Sequence, residues 1–190
     1  MEGEAQVAAS AAARQRSGLT ALYLGIFAAL WLSVPETDPQ LGPFLVAGSI
    51  VALLTAGAGG ALVIRSRADG PFPRDTVADR KYLVIFAAEL AAAGFGAMLL
   101  AVTHRGEYIP VLAAFVVGVH FWPLAPVLTD PALKVLAVLV CLAALAGLIA
   151  GLVSSVMPGE VVGAGVGVLL LGYALGALLR AGMALCRSHS

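Results

Sequence analysis

Two side chains in this sequence could hold a proton inside an apolar environment: Glu89 and His120. Each stands within a long hydrophobic run. A charged group at the centre of a bilayer costs about 3 kcal/mol on insertion scales, so it must face protein, be neutralised or find a partner. The runs that carry them point in opposite directions across a short turn. By helix rise, Glu89 lies ~10 Å and His120 ~12 Å from the same end of their spans. A carboxylate beside an imidazole can accept, share and release one proton, which is what a proton- or substrate-binding site needs. The same pair is also a polar clamp between two helices, and the sequence leaves both readings open. Thr55 and Tyr173 fall in the same inner half of their spans, and each is either a helix-to-helix hydrogen bond or a ligand contact. Trp122 completes this candidate set as a packing or interfacial aromatic. A metal site needs more ligands than this pair, and Cys141 has a comparable depth, so Glu89, His120 and Cys141 could converge. Cys141 and Cys186 read as packing residues, and neither metal nor cofactor is expected.

These groups have to be positioned by membrane-crossing helices. The chain has 190 residues, of which 61% are hydrophobic and 12% charged. That is too little charge to cover a soluble surface, and the apolar residues come in blocks rather than in alternation. The fold class is therefore an all-α integral membrane bundle. Six transmembrane helices are expected near 18–34, 41–64, 82–103, 108–128, 132–153 and 161–185, forming one domain over 17–187. Residues 1–16 read as a disordered or surface-lying tail. The prolines around Thr37-Asp38, the Gly70-Pro71-Phe72-Pro73 turn and Thr129-Asp130-Pro131 separate the runs. Thr129 or Asp130 is placed to cap helix 5, with Pro131 in its first turn. Helix 4 is expected to be interrupted near Pro123, because Pro123 and Pro126 withhold an N–H from the carbonyls of Val119 and Trp122.

Ten of the eleven basic residues fall on one side of this layout, and only Arg105 on the other. The positive-inside rule then puts both termini in the cytoplasm. Arginine outnumbers lysine, while alanine, glycine and valine abound, which suggests a GC-rich bacterial genome; with the apolar spans, the expected location is the bacterial inner membrane. The longest interior polar loop carries Arg65, Arg67, Arg74, Arg80 and Lys81. It anchors to lipid headgroups or receives an anionic ligand. Helix 6 carries Gly163, Gly167, Gly172 and Gly176 at small-xxx-small spacing, and helix 5 adds Gly147 and Gly151. This predicts close packing of helices 5 and 6, within the protomer or across a homo-oligomer. The two Thr-Asp-Pro triplets leave room for an inverted three-plus-three repeat.

The stretch Gly118-Val119-His120-Phe121-Trp122-Pro123-Leu124-Ala125 resembles a Gly-x-His-Phe-x-Pro-Leu-Ala signature of small uncharacterised bacterial multi-spanning membrane proteins. The resemblance implies an architecture and no mechanism. No catalytic serine–histidine–aspartate set, no glycine-rich phosphate loop and no basic-aromatic patch for nucleic acid stands out. The sequence thus leads to a small transport or permeation protein with its polar site between helices 3 and 4. The alternative is a non-catalytic scaffold or accessory subunit acting through helices 5 and 6 or the basic loop.

Overall fold

Apolar runs of this length hydrogen-bond their own backbone only as helices, and helices are what forms. The computed structural model describes the backbone of residues 2–34, 41–67, 76–127 and 130–187, and the side chains of 12–34, 41–66, 80, 83–126 and 130–183. The helices are α1 (Glu2–Leu32), α2 (Gly42–Arg67), α3 (Thr76–Val102), α4 (Ile109–Val127), α5 (Ala132–Val153) and α6 (Pro158–Arg187). A short 3-10 turn, Gly106–Tyr108, leads into α4. No strand occurs among the described residues. Five helices, α2 to α6, are long and apolar enough to cross a membrane. The molecule is an all-α bundle of membrane type.

Several boundaries differ from the sequence expectation, each for a local reason. α1 begins at Glu2, so the segment before Arg16 is helical rather than a loose tail. Its alanines favour helix more than any other residue does. α6 begins at Pro158, three residues ahead of the expected start, with proline in the first turn and Glu160 beside the positive helix end. α4 is not interrupted. It runs through both Pro123 and Pro126 to Val127. The turn around Thr37, the Gly70-Pro71-Phe72-Pro73 turn and Thr129 lie outside the described residues.

The helix order in space follows from which residues touch. α1 lies antiparallel along α2, with Gly18 against Gly59 and Val63, Gly25 against Ala52 and Ala56, and Leu32 against Gly48. A Cβ added at Gly59 would stand 2.6 Å from the Gly18 carbonyl oxygen, so the two backbones are in contact. α6 packs on the other side of α1, where Gly167 receives Leu32. α5 forms an antiparallel hairpin with α6, and α4 with α5. The buried core draws Leu24, Ala28 and Trp31 from α1, Phe121 and Leu124 from α4, Val140 and Ala144 from α5, and Val162, Val166 and Leu170 from α6. α3 gives it no residue among those described, and packs against α4 at the edge of the bundle. An inverted repeat would pair α2 with α3 as α5 pairs with α6. No comparable α2–α3 interface exists among the described residues.

At one end of the bundle the Tyr108 hydroxyl donates to the Gly151 carbonyl at 3.2 Å, and Gly159 lies near Pro110 and Val34. That end also holds the close of α3. There the N–H of Arg105 bonds the Leu100 carbonyl at 2.8 Å, the N–H of His104 bonds that of Ala101 at 3.1 Å, and His104 takes a left-handed φ of 56°. This is a Schellman close with histidine where glycine is usual.

Candidate functional site

The antiparallel contact of α3 with α4 sets the site. Gly96 of α3 takes the side chain of Leu112 of α4, and two turns toward the other end Glu89 meets His120. Nδ1 of His120 lies against Oε2 of Glu89, and the side chains are 12% and 22% exposed, respectively. Both are therefore shielded mainly by the two helices they join. Glu89 is six residues into the apolar part of α3, which begins at Leu83, or ~9 Å by helix rise. His120 is seven residues from the end of α4 at Val127, or ~10 Å. The ring of Phe121 stands edge-on to the imidazole, with centroids 5.9 Å apart. With one proton between them, the two groups form either an ion pair or a neutral hydrogen-bonded pair.

α4 keeps this pair apart from α5 by its own geometry. Gly118 and His120 are two residues apart, about 200° around a helix. Gly118 faces α5, where an added Cβ would stand 2.6 Å from Cys141 Sγ and 3.0 Å from Cys141 N. Cys141 therefore packs into the space Gly118 leaves, as a small hydrophobe does. It does not join Glu89 and His120. No group of three metal-ligating side chains exists among the described residues.

The other candidates are not gathered at the pair. Thr55 is buried on α2 and its hydroxyl donates to the Val51 carbonyl of its own helix at 2.7 Å. α2 packs with α1 and α6, on the far side of the bundle from α3. Trp122 is 57% exposed and lines a groove between α4 and α5. Tyr173 belongs to a second polar cluster. Its hydroxyl donates to Oδ2 of Asp130 at 2.6 Å, and the guanidinium of Arg180 stands 5.5 Å from its ring centroid. Asp130 uses its other oxygen to accept the Ala132 N–H at 3.1 Å, so it caps α5 as expected while tying the α4–α5 connection to α6. Sequence reasoning missed that second role. Asp130 and Tyr173 are 43 positions apart, and no periodic signal pairs them.

The glycines separate into two groups. Gly147 receives Val162, and Gly151 receives Pro158 and Tyr108, so the α5 glycines pack against α6 as predicted. Gly167 instead seats Leu32 of α1, with an added Cβ at 2.6 Å from Leu32 Cγ. Gly163 is buried. Gly172 and Gly176 would meet nothing within 4 Å and do not pack helices 5 and 6 together. α6 has turned those positions away from α5.

Arg65 and Arg80 are exposed at the end of the bundle that also holds Arg14, Arg16, Lys134 and Arg180. Arg105 is at the opposite end, beside the 3-10 turn. The side chains of Arg67 and Lys81, and all of Arg74, lie outside the described residues. No family model, curated protein or solved structure matches this chain.

Proposed function

We propose that this chain is a small transport or permeation protein of the bacterial cytoplasmic membrane, with Glu89 and His120 as its proton-binding centre. The observation that carries the reading is their contact across α3 and α4, ~10 Å inside an otherwise apolar span. A clamp between two helices in lipid needs no titratable groups, because apolar packing does that work without the cost of burying charge. A carboxylate–imidazole pair adds the capacity to bind and release a proton. α4 also carries Pro123 and Pro126 just beyond His120. They weaken its helical ladder where a moving segment would need to bend.

The same reading includes six crossings and both termini in the cytoplasm. α1 is apolar from Gly18 to Leu32, and that part lies lengthwise against α2 between Val63 and Gly48. A helix so placed shares the depth of a full span. The end that gathers Arg65, Arg80, Lys134 and Arg180 then faces the cytoplasm. In a chain freed of Cys141 and Cys186, cysteines at Thr37, Gly106 and Gly159 will react with a membrane-impermeant thiol reagent on intact cells, and one at Gly70 will not. Labelling at Gly70 alone would overturn the orientation.

The functional test is proton flux into proteoliposomes carrying a pH-sensitive dye, driven by a potassium diffusion potential. The unaltered chain is expected to conduct above empty vesicles. Glu89→Gln, which keeps hydrogen-bonding capacity but cannot titrate, is expected to fold and to lose the flux. Equal flux from both proteins would end the proton-binding reading.

The accessory-subunit reading has one observation in its favour. The span of α3 buries no residue, and its apolar side chains, Leu83, Phe95 and Met98 among them, face outward. In that case Glu89→Gln is silent in the flux assay, and the working surface is α3 itself.

A further inference from the structure

A groove of about 720 Å³, lined by neither Glu89 nor His120, runs between α4 and α5. Tyr108 of the 3-10 turn lines it with Phe115, Val119 and Trp122 of α4 and Val138 of α5, and Leu100 of α3 borders it. Between Tyr108 and Trp122 it extends over fourteen residues, or ~21 Å of helix. One leaflet of hydrocarbon is ~15 Å deep, half of the ~30 Å core. The groove therefore accommodates a whole acyl chain from the leaflet it opens into. Its lining is apolar, and the Tyr108 hydroxyl is already committed to the Gly151 carbonyl. A polar substrate would find nothing there to replace its water.

One end of the groove is different in kind. Lys134 stands four residues before Val138, one turn below it on the same side of α5, and is exposed. Side chains on a helix lean toward its N-terminus. Lys134 therefore leans out of the apolar zone toward the basic end of the bundle, while Trp122, on the antiparallel α4, leans up along the groove. The arrangement is an acyl-sized slot with an amphipathic aromatic at its mouth and a cation just beyond it.

We propose that this groove binds a single anionic phospholipid, with one acyl chain between α4 and α5 and the phosphate at Lys134. A lysine near the membrane surface strengthens attraction to an anionic headgroup about fivefold. The slot is not lined by Glu89 or His120, so lipid binding stands apart from the proton-binding reading.

The two tryptophans make the test direct. Trp31 is buried in the core and Trp122 lines the groove. In a Trp31→Phe protein, Trp122 is the sole tryptophan reporter. Its quenching is measured in phosphatidylcholine vesicles doped with a minor fraction of brominated phosphatidylglycerol or of brominated phosphatidylcholine. The anionic lipid is expected to associate about fivefold more strongly, and Lys134→Gln to erase that preference. Val119→Phe, which fills the slot, is expected to weaken quenching by both lipids. Native mass spectrometry of the unaltered chain supplies a second readout, with phosphatidylglycerol retained over phosphatidylcholine in the wild type and equal retention in Lys134→Gln. Equal quenching by the two lipids in the Lys134 protein would reduce the site to ordinary boundary lipid and overturn the proposal. So would a preference that survives Lys134→Gln, or quenching by neither lipid together with a cross-linked dimer, which would make a second copy the occupant.

Discussion

Replacing Gly59 by alanine tests how closely α1 and α2 approach. The new Cβ would stand 2.6 Å from the Gly18 carbonyl oxygen, 2.6 Å from the Leu22 nitrogen and 3.0 Å from Ala21 Cβ. Two of these are backbone atoms and cannot rotate away. Reaching an ordinary contact near 3.5 Å requires the helices to part by roughly 0.9 Å, which forfeits a quarter to a half of each dispersion contact nearby. Those contacts include Gly25 against Ala52 and Ala56. Overpacking of this kind costs about 1–3 kcal/mol. Alanine returns about 1 kcal/mol through helix propensity, and that gain must be removed from the comparison. Gly57→Ala removes it. Gly57 is on the same helix, two residues away, and an added Cβ there meets nothing within 4 Å. It receives the propensity gain without the clash. Gly59→Ala should therefore be about 2 kcal/mol less stable than Gly57→Ala. The assay is unfolding of the purified chain, in a Trp122→Phe background, in mixed micelles by titration with sodium dodecyl sulfate, followed by the fluorescence of Trp31, which is buried on α1. Coincident unfolding of the two variants would refute the backbone contact.

Three further outcomes are expected. Gly167→Leu should destabilise strongly in the same assay, because Leu32 fills that space, whereas Gly176→Leu should leave the stability of the protomer unchanged; equal losses would contradict the packing of α6. His104→Gly should stabilise by about 1 kcal/mol, since glycine removes the steric cost of a left-handed backbone; a loss of stability would show that the His104 side chain has a role at the turn. Tyr173→Phe should cost about 1–2 kcal/mol by removing the hydrogen bond to Asp130; the absence of any change would mean that the α4–α5 connection is held to α6 by other contacts.

Much of the architecture was legible because one physical signal dominates it. Runs of about twenty apolar residues have one backbone solution in lipid, so α2 to α6 could be placed from composition alone, and α5 matched the expected 132–153 at both ends. The Glu89–His120 contact was legible for a similar reason: two polar groups at equal depth on helices joined by a short turn have few other partners. Side-to-side arrangement was not legible. The spacing of Gly167 and Gly176 looks alike in sequence, yet one seats a leucine of α1 and the other meets open space. Small-residue spacing says that a helix can be approached and is silent on which neighbour approaches. Thr55 and Tyr173 were grouped with the pair by depth, but depth fixes one coordinate of three, and both lie on helices remote from α3. Asp130 was read only as a helix cap because a cap is a local pattern, while its bond to Tyr173 exists only once α6 is packed.

The seat of Leu32 on Gly167 also has a consequence for how the chain is made. α1 leaves the ribosome well before α6, and they share one of the largest interfaces in the bundle. At about 5–20 residues per second, the roughly 125 residues between them take about 6–25 s to synthesise. Throughout that interval α1 has α2 along one side and an unfilled Leu32 face on the other. Helical hairpins can form as they emerge, but α1 is enclosed only once α6 is made. A nascent chain halted before Pro158 would therefore carry two unsealed surfaces into the membrane, the Leu32 face of α1 and the Gly147 face of α5, and quality-control proteases would have both to recognise.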